Sequence, residues 1–520
     1  MRRRFLRPVW GVAVLLLLLL GVMAEASQLT ILHVNDTHGH AWPFDVSDGP
    51  SVGGFAPLST LVDRIRREVE SKGGHVILLH AGDFNTGVPE SDQSDAMPDI
   101  VAMNMIRFDA ATLGNHEFDK PREVLKRQLD FARFPVVNAN LVDSMGFNPL
   151  KPYVVKDFGD VSVAIYGLLT PETAQLEPVH LKGWTLEDPV GVSRRLVPRL
   201  KNRARVVIAL THLGWSDDPS LPGTSRALAE ARIPGLDVIV DGHSHTLFKE
   251  APTIGHTTVV QAGDWGRYLG RLDLTIEDGR ITRRSWRAIP VNLKRAVGPG
   301  GGKRVFEFLE GEIPSDPKVE AALDYFKRVG RERLDAVVGR TRVLLDGERE
   351  RVRSMDTNLT NLVADAMRWK VGADVALLNG GAVRASISPG DVTYRDVLTV
   401  LPFGSTLYVV ELTGEQLKRV LDFAVTVPAG KGGWPHFSNL TLRRGASGAQ
   451  DVRVGGKPLD MGARYRLVTF NYLALGGDGY QVLKELKGYD TGFVDAAVLA
   501  EFMGTQGEIS GWDGSQRYVP

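Results

Sequence analysis

LTILHVND, residues 29–36, is a short apolar run that stops abruptly at Asn35 and Asp36, with Thr37 and His38 just beyond. The same local pattern returns along the chain. HVILLHAGD, residues 75–83, ends at Asp83. RVVIALTH, residues 205–212, ends at His212, and LDVIVDGHSH, residues 236–245, delivers His243 and His245. Such runs predict buried strands, and LSTLVDRIRREVE, residues 58–70, is one of the helical patterns between them. Strands alternating with helices predict an α/β fold, in which ligands bind beyond the carboxyl ends of the strands. Polar clusters distant in sequence can therefore converge.

GNHEFD, residues 114–119, crowds Asn115, His116, Glu117 and Asp119 beside the apolar DAATL, residues 109–113. A core does not take this many polar groups without partners. Gly114 is expected to supply a tight turn through a positive φ. With the other clusters, the candidates become Asp36, His38, Asp83, Asn115, His116, Asp119, His212, His243 and His245. Carboxylate, imidazole and amide oxygen together suit two divalent cations of intermediate hardness, such as Zn²⁺ or Mn²⁺. Asp36 and His38 would lie on one face if strand geometry continued, and so would His243 and His245. Two metals need a shared ligand, and Asp83 is the expected bridge. A single Asp or His at a strand end is ordinarily a cap or turn residue. Five such clusters in succession make coincidence the weaker explanation.

The chain has 520 residues, with 62 Lys+Arg balancing 62 Asp+Glu. This gives no support for nucleic-acid polymers as partners, and no protein partner can be inferred. Arg2, Arg3, Arg4 and Arg7 precede an apolar run from Val9 to Met23, and AEA, residues 24–26, resembles a cleavage site. An export signal is expected over 1–26, with a periplasmic or secreted mature chain and no lasting membrane insertion. There is no cysteine, so stability rests on burial and on bound metal rather than on disulfides.

AVGPGGGK, residues 296–303, marks a seam. SDPKVEAALDYFKRVGRERL, residues 315–334, then predicts a connecting helix, with Ser315 or Asp316 as cap and Pro317 in its first turn. The expected division is a first domain over 27–295, a linker with connecting helix over 296–334 and a second domain over 335–520. The polar clusters before residue 300 and any base-binding residues after 400 would meet through domain rotation, with Gly330 and AVVG, residues 336–339, as hinge candidates.

ILHVNDTHGH, AGDFNTGVPESD, GNHEFD, THLG and GHSHT resemble the successive blocks of the calcineurin-like metallophosphoesterases. With NGGAVR, LPFGSTL and GGDGY, the set is similar to the secreted 5′-nucleotidases. NTGVPESDQSDAMPD, residues 85–99, most resembles the bacterial periplasmic branch that also hydrolyses UDP-sugars. The resemblance implies a four-layer α/β/β/α sandwich followed by a smaller α/β substrate-binding domain. It implies one metal held by Asp36, His38, Asp83 and His245, and another by Asp83, Asn115, His212 and His243. His116 would face the reacting phosphate, oriented by Asp119. Arg353, Asn379 and Arg384 would contact phosphate or ribose, Phe403 and Tyr472 would sandwich the base, and Asp478 would take the ribose hydroxyls. The implied reaction removes phosphate from nucleoside 5′-phosphates and extends to nucleoside di- and triphosphates or UDP-sugars. Alternatives on the same scaffold are another phosphoesterase, a thiosulfohydrolase, or a catalytically dead nucleotide-binding surface protein. Asp356 stands where Glu is common, Thr360 where Gly is common, and Tyr472 where relatives often have Phe. His33, His40, His75, His80, His180, His256 and His436 are expected to be structural.

Overall fold

The computed structural model describes residues 26–46, 49–143, 145–146, 150–177, 180–217, 222–297, 305–329 and 331–520. The expected export signal up to residue 25, most of the Gly-rich seam and Gly330 lie outside the described residues.

Two six-stranded sheets face each other in the first half. One runs Arg280–Pro290, Tyr268–Glu277, Ser27–Val34, His75–His80, Ala110–Thr112, Val136–Val137. The other runs Thr253–Ile254, Thr257–Val260, Val238–Val240, Val206–His212, Ser162–Leu169, Tyr153–Asp157. Ile31, Ile77 and Leu79 of the first sheet share one core with Ile165, Ile208 and Val240 of the second. The helices Phe55–Glu70 and Met97–Ile106 cover the outer face of the first sheet. Pro189–Lys201 and Ser225–Glu230 cover the outer face of the second. Burial on both faces explains why these strands are apolar without alternation. The four-layer α/β/β/α arrangement is therefore the one that forms.

Strand register brings the polar clusters together. Ser27–Val34 runs parallel to His75–His80 with Val34 opposite His80, so both strands end side by side. Pairing continues past the ends, where Asp36 N–H donates to Gly82 O (3.0 Å) and His38 N–H to Asp83 O (3.0 Å). The first sheet is not purely parallel. The hairpin of Tyr268–Glu277 and Arg280–Pro290 joins it antiparallel to Ser27–Val34.

The connecting helix forms as Pro317–Arg328, and the Asp316 carboxylate caps it by accepting the Lys318 N–H. It is more than a spacer. Val319 and Leu323 are buried in the same core as Leu58 and Ile100, so the helix packs on the first half. AVVG belongs mostly to the strand Val337–Thr341, which pairs with Gly390–Thr393 and Glu508–Ile509. Ladder hydrogen bonds hold that backbone, which makes it a poor hinge.

The second half centres on a five-stranded sheet in the order Pro435–Ser438, Val375–Asn379, Arg464–Phe470, Thr406–Thr413, Gly488–Val494. Asn358–Val371 and Asp495–Gln506 pack on one face and Gly414–Ala424 on the other. Two departures from the family pattern have structural work here. Thr360 completes a capping box with Thr357. Asp356 accepts from the backbone N–H groups of Arg517 (2.6 Å) and Tyr518 (2.8 Å), tying down the C-terminal segment.

Candidate active site

The polar clusters of the first half meet where the two sheets end. Strand geometry does not continue through Asp36 and His38, nor through His243 and His245. All four have positive φ, at 51°, 48°, 79° and 55°, and Asp83 joins them at 56°. Left-handed backbone at non-glycine residues is costly and clusters at functional sites. Here it turns the side chains inward. Gly114 differs from its expectation too, since it is not among the residues with positive φ. It is needed for closeness: a Cβ there would collide with the Asp83 carboxylate. Gly82 is another such position, where a Cβ would lie 2.7 Å from His212 Nδ1.

The donor set fits divalent cations. His38 Nδ1–H donates to Thr86 O (3.0 Å), His212 Nδ1–H to Ala81 O (2.7 Å) and His245 Nδ1–H to Asp264 Oδ2 (3.1 Å). In the neutral rings each Nε2 then presents a lone pair. His38 Nε2 and His245 Nε2 face each other at 3.2 Å. His212 Nε2 is buried without a hydrogen-bond partner, although Asp83 Oδ2 is 3.0 Å away. Lone pairs directed at one another and at carboxylates repel unless a cation lies among them. Burial lowers the His212 pKa, but Asp83 and Asp36 overcome it and draw the ring up to about 10, so that without a metal a proton would take the cation's place on Nε2. Of four groupings among the described residues whose donor atoms lie within 4.8 Å of one another, two fall within the expected ligand sets: Asp36, His38 and His245, and Asp83, His212 and His243. Asp83 lies between them, 3.8 Å from His38 Nε2 and 3.0 Å from His212 Nε2. Asn115 Oδ1 is 2.9 Å from His243 Nδ1, which places the amide oxygen with the second group.

His116 Nδ1 bonds Asp119 Oδ2 at 2.8 Å, and the His116 N–H donates to Asp83 Oδ1 (2.9 Å). Burial lowers the His116 pKa, but the Asp119 and Asp83 carboxylates outweigh it and raise the ring to about 9. Glu117 faces inward as a scaffold. It accepts the backbone N–H groups of Asp83 (2.9 Å), Phe84 (3.0 Å), Asn85 (3.1 Å) and Gly114 (2.6 Å), joining two of the clusters.

The second half closes the site from above. Arg353, Asn379, Arg384, Phe403, Tyr472 and Asp478 line a cavity of about 660 Å³ together with His38, Asp83, Asn115, His116 and His243. The Phe403 ring stacks on His116 with centroids 5.7 Å apart and planes 14° apart. The Arg384 guanidinium lies 5.4 Å from the Phe403 centroid. Asn379 Nδ2 donates to Asp478 Oδ2 (2.8 Å), and Tyr472 OH accepts the Asp478 N–H (3.1 Å). Burial lowers Arg353 and Arg384 to about 10, so both remain cationic at neutral pH.

The structure adds residues that the motifs did not single out. Asp264 holds His245 and Glu172 Oε2 is 3.4 Å from His243 Nε2, while Glu177 and Arg349 line the cavity. AGD at 262–264 follows a strand just as AGD at 81–83 does, and Arg349 is one turn before Arg353. Those signals were available. Glu172 and Glu177 carry no motif. Of the histidines expected to be structural, His33 and His80 are buried in strands, and His40 stacks on Trp265 with centroids 4.7 Å apart.

The chain is similar to known proteins over most of its length. The calcineurin-like phosphoesterase family model matches residues 29–247, and the 5′-nucleotidase C-terminal domain model matches residues 337–485. Protein UshA of Yersinia enterocolitica is 38% identical over 502 residues, covering 92% of this chain and 90% of that protein. The 5′-nucleotidase of Vibrio vulnificus is 37% identical over 503 residues, with the same coverage. Among solved structures, the 5′-nucleotidase precursor of Thermus thermophilus is 32% identical with a TM-score of 0.77, covering 95% of this chain and 99% of that one.

Proposed function

We propose a function from one premise: the chain belongs to the 5′-nucleotidase family, with a calcineurin-like phosphoesterase domain, and is a metal-dependent phosphoesterase. The proposed reaction is hydrolysis of nucleoside 5′-phosphates outside the cytoplasm. The observation that carries it is the single cavity in which His116 and the inward-facing Asp and His donors meet Arg353, Arg384, Phe403 and Tyr472.

Asp36, His38, Asp83 and His245 would hold one divalent cation, and Asp83, Asn115, His212 and His243 the other. When bound, such a pair supplies a nucleophilic water at neutral pH and positive charge at the phosphoryl oxygens. The remaining work falls to the chain. Arg353 and Arg384 grip the phosphate, since a guanidinium fork matches its oxygens. Phe403 and Tyr472 hold the base between them, and Asn379 and Asp478 take the ribose. His116, cationic beside Asp119, donates a proton to the leaving oxygen as it departs. Arg349 gives the cavity a further cation, which extends the proposed range to nucleoside di- and triphosphates and UDP-sugars. Export rests on the basic and apolar N-terminal stretch. No helix of the described residues is long and apolar enough to cross a membrane.

The test is a substrate panel of AMP, ATP, UDP-glucose and a cyclic nucleotide with protein loaded with Mn²⁺ or Zn²⁺. Phosphate release from AMP, lost on chelation and restored by metal, is expected. Cleavage of the cyclic nucleotide with AMP untouched, or no cleavage of any member, would overturn the reading.

A further inference from the structure

Asp119 presents two oxygens, and only one is accounted for. Oδ2 takes His116 Nδ1, while Oδ1 is buried without a partner. The Glu177 carboxylate lies close by. Carboxylate and imidazole atoms of His116, Asp119 and Glu177 lie within 4.8 Å of one another. The position of Glu177 is fixed from both sides. Its N–H donates to Thr173 O (2.8 Å), its carbonyl accepts the Leu181 N–H (3.1 Å), and His180 Nδ1–H donates to Phe118 O (2.9 Å). The helix Thr173–Leu176 packs against the turn Gly477–Gly479, so Glu177 sits at the seam between the two halves.

We propose that Glu177 is a positioning residue that carries a proton and donates it in a hydrogen bond to Asp119 Oδ1, fixing the orientation in which Asp119 meets His116. Two carboxylates drawn together in a partly buried site tend to share a proton, because two negative charges there repel. The ionised form of Glu177 would add negative charge close to Asp119, Asp83 and Asp478. Burial and the Asp119 carboxylate accordingly push its pKa well above the usual range. The inference rests on the proposed role of His116.

The test compares E177Q, E177M and D119A with the wild-type enzyme on AMP. E177M removes the donor and is expected to lower kcat about tenfold, the size of one hydrogen bond to a charged group, with KM and metal content unchanged. E177Q keeps an N–H donor of the same shape and should recover most of that loss. In a D119A background, E177M should cost nothing further, since Glu177 acts through Asp119. E177Q as impaired as E177M would overturn the proposal, because a required negative charge is then at work. So would full additivity with D119A, an unchanged kcat in E177M, or a third metal ion lost in E177Q. An inactive wild-type enzyme would instead reject the function itself.

Discussion

The two walls of the cavity have opposite charge deficits. On the wall from the first half, lone pairs and carboxylates converge: His38 Nε2 on His245 Nε2 at 3.2 Å, and His212 Nε2 on Asp83 at 3.0 Å. On the other wall, among the described residues, none of Arg349, Arg353 and Arg384 forms an ion pair, and burial lowers the last two to about 10. Neither wall is electrostatically satisfied alone. One wants cations and the other wants anions, and divalent metal with a phosphate group would supply both. The walls are also built differently. The first is held by strained backbone at Asp36, His38, Asp83, His243 and His245, and by side chains locked to backbone carbonyls. The second reaches in with long arginines and aromatic rings. The first wall should therefore fail abruptly when altered, and the second by degrees.

The severest break is Asp83→Ala, which removes the carboxylate between the two groupings. Activity on AMP should fall by roughly 10³-fold or more, the several kcal/mol of a metal centre. Native mass spectrometry should find fewer than two ions, and finding both still bound would remove the bridging role. His116→Ala separates chemistry from metal holding on the same wall. Both ions should remain while kcat falls by about 10²-fold or more, the range for a positioned acid. An unchanged kcat rejects that assignment. On the opposite wall, Arg384→Met should lower kcat/KM for AMP by about 10–100-fold, as expected for charge-assisted hydrogen bonds. Inhibition by inorganic phosphate should weaken in parallel, with metal content untouched. Loss of metal in that variant would mean that the two deficits are not separable.

Tyr472 tests the mildest site effect. Tyr472→Phe keeps the ring and should change KM by less than about threefold, whereas Tyr472→Ala should raise it by roughly tenfold, near the upper range for an aromatic pair. Equal effects of the two changes would assign the role to the hydroxyl that accepts the Asp478 N–H. The smallest effect is on stability alone. Asp99 is buried in the first half, with Ser91 Oγ–H donating to Oδ2 (2.5 Å), and burial raises its carboxyl to about 8. The unfolded chain ionises near 3.9, so the fold favours the protonated form and stability declines as pH rises from about 4 to 8. Asp99→Asn at fixed metal concentration should flatten the fall of Tm with pH. A steeper fall would contradict a neutral Asp99.

Much of this could be found without coordinates. Apolar runs ending in Asp36, Asp83, His212 and the GHSH segment, residues 242–245, marked both the layers and their functional edge. The cavity-lining residues proposed for recognition were also separable in sequence, with Asn379, Arg384, Phe403 and Asp478 in motifs of their own late in the chain.

Local patterns could not reveal what depends on distant chain. Spacing of two suggested an extended backbone through Asp36 and His38, but Gly82 and Asp83 pair with that segment and bend it into left-handed turns. Gly114 is demanded by the nearness of Asp83, a residue from another strand end, and not by its own turn. The connecting helix is amphipathic in sequence, yet only packing decides that its apolar face belongs to the first half. Glu172, Glu177 and Asp264 acquire meaning solely from the side chains across from them. Residue types, their order and the strand ends that carry them are legible in the chain alone, because hydrophobic period and polar identity are local properties. Which nitrogen of each histidine is free, which carboxylate meets which ring and where each wall lacks charge are not legible there. Those are distances between groups far apart in the chain, and they exist only once the two sheets have closed on each other.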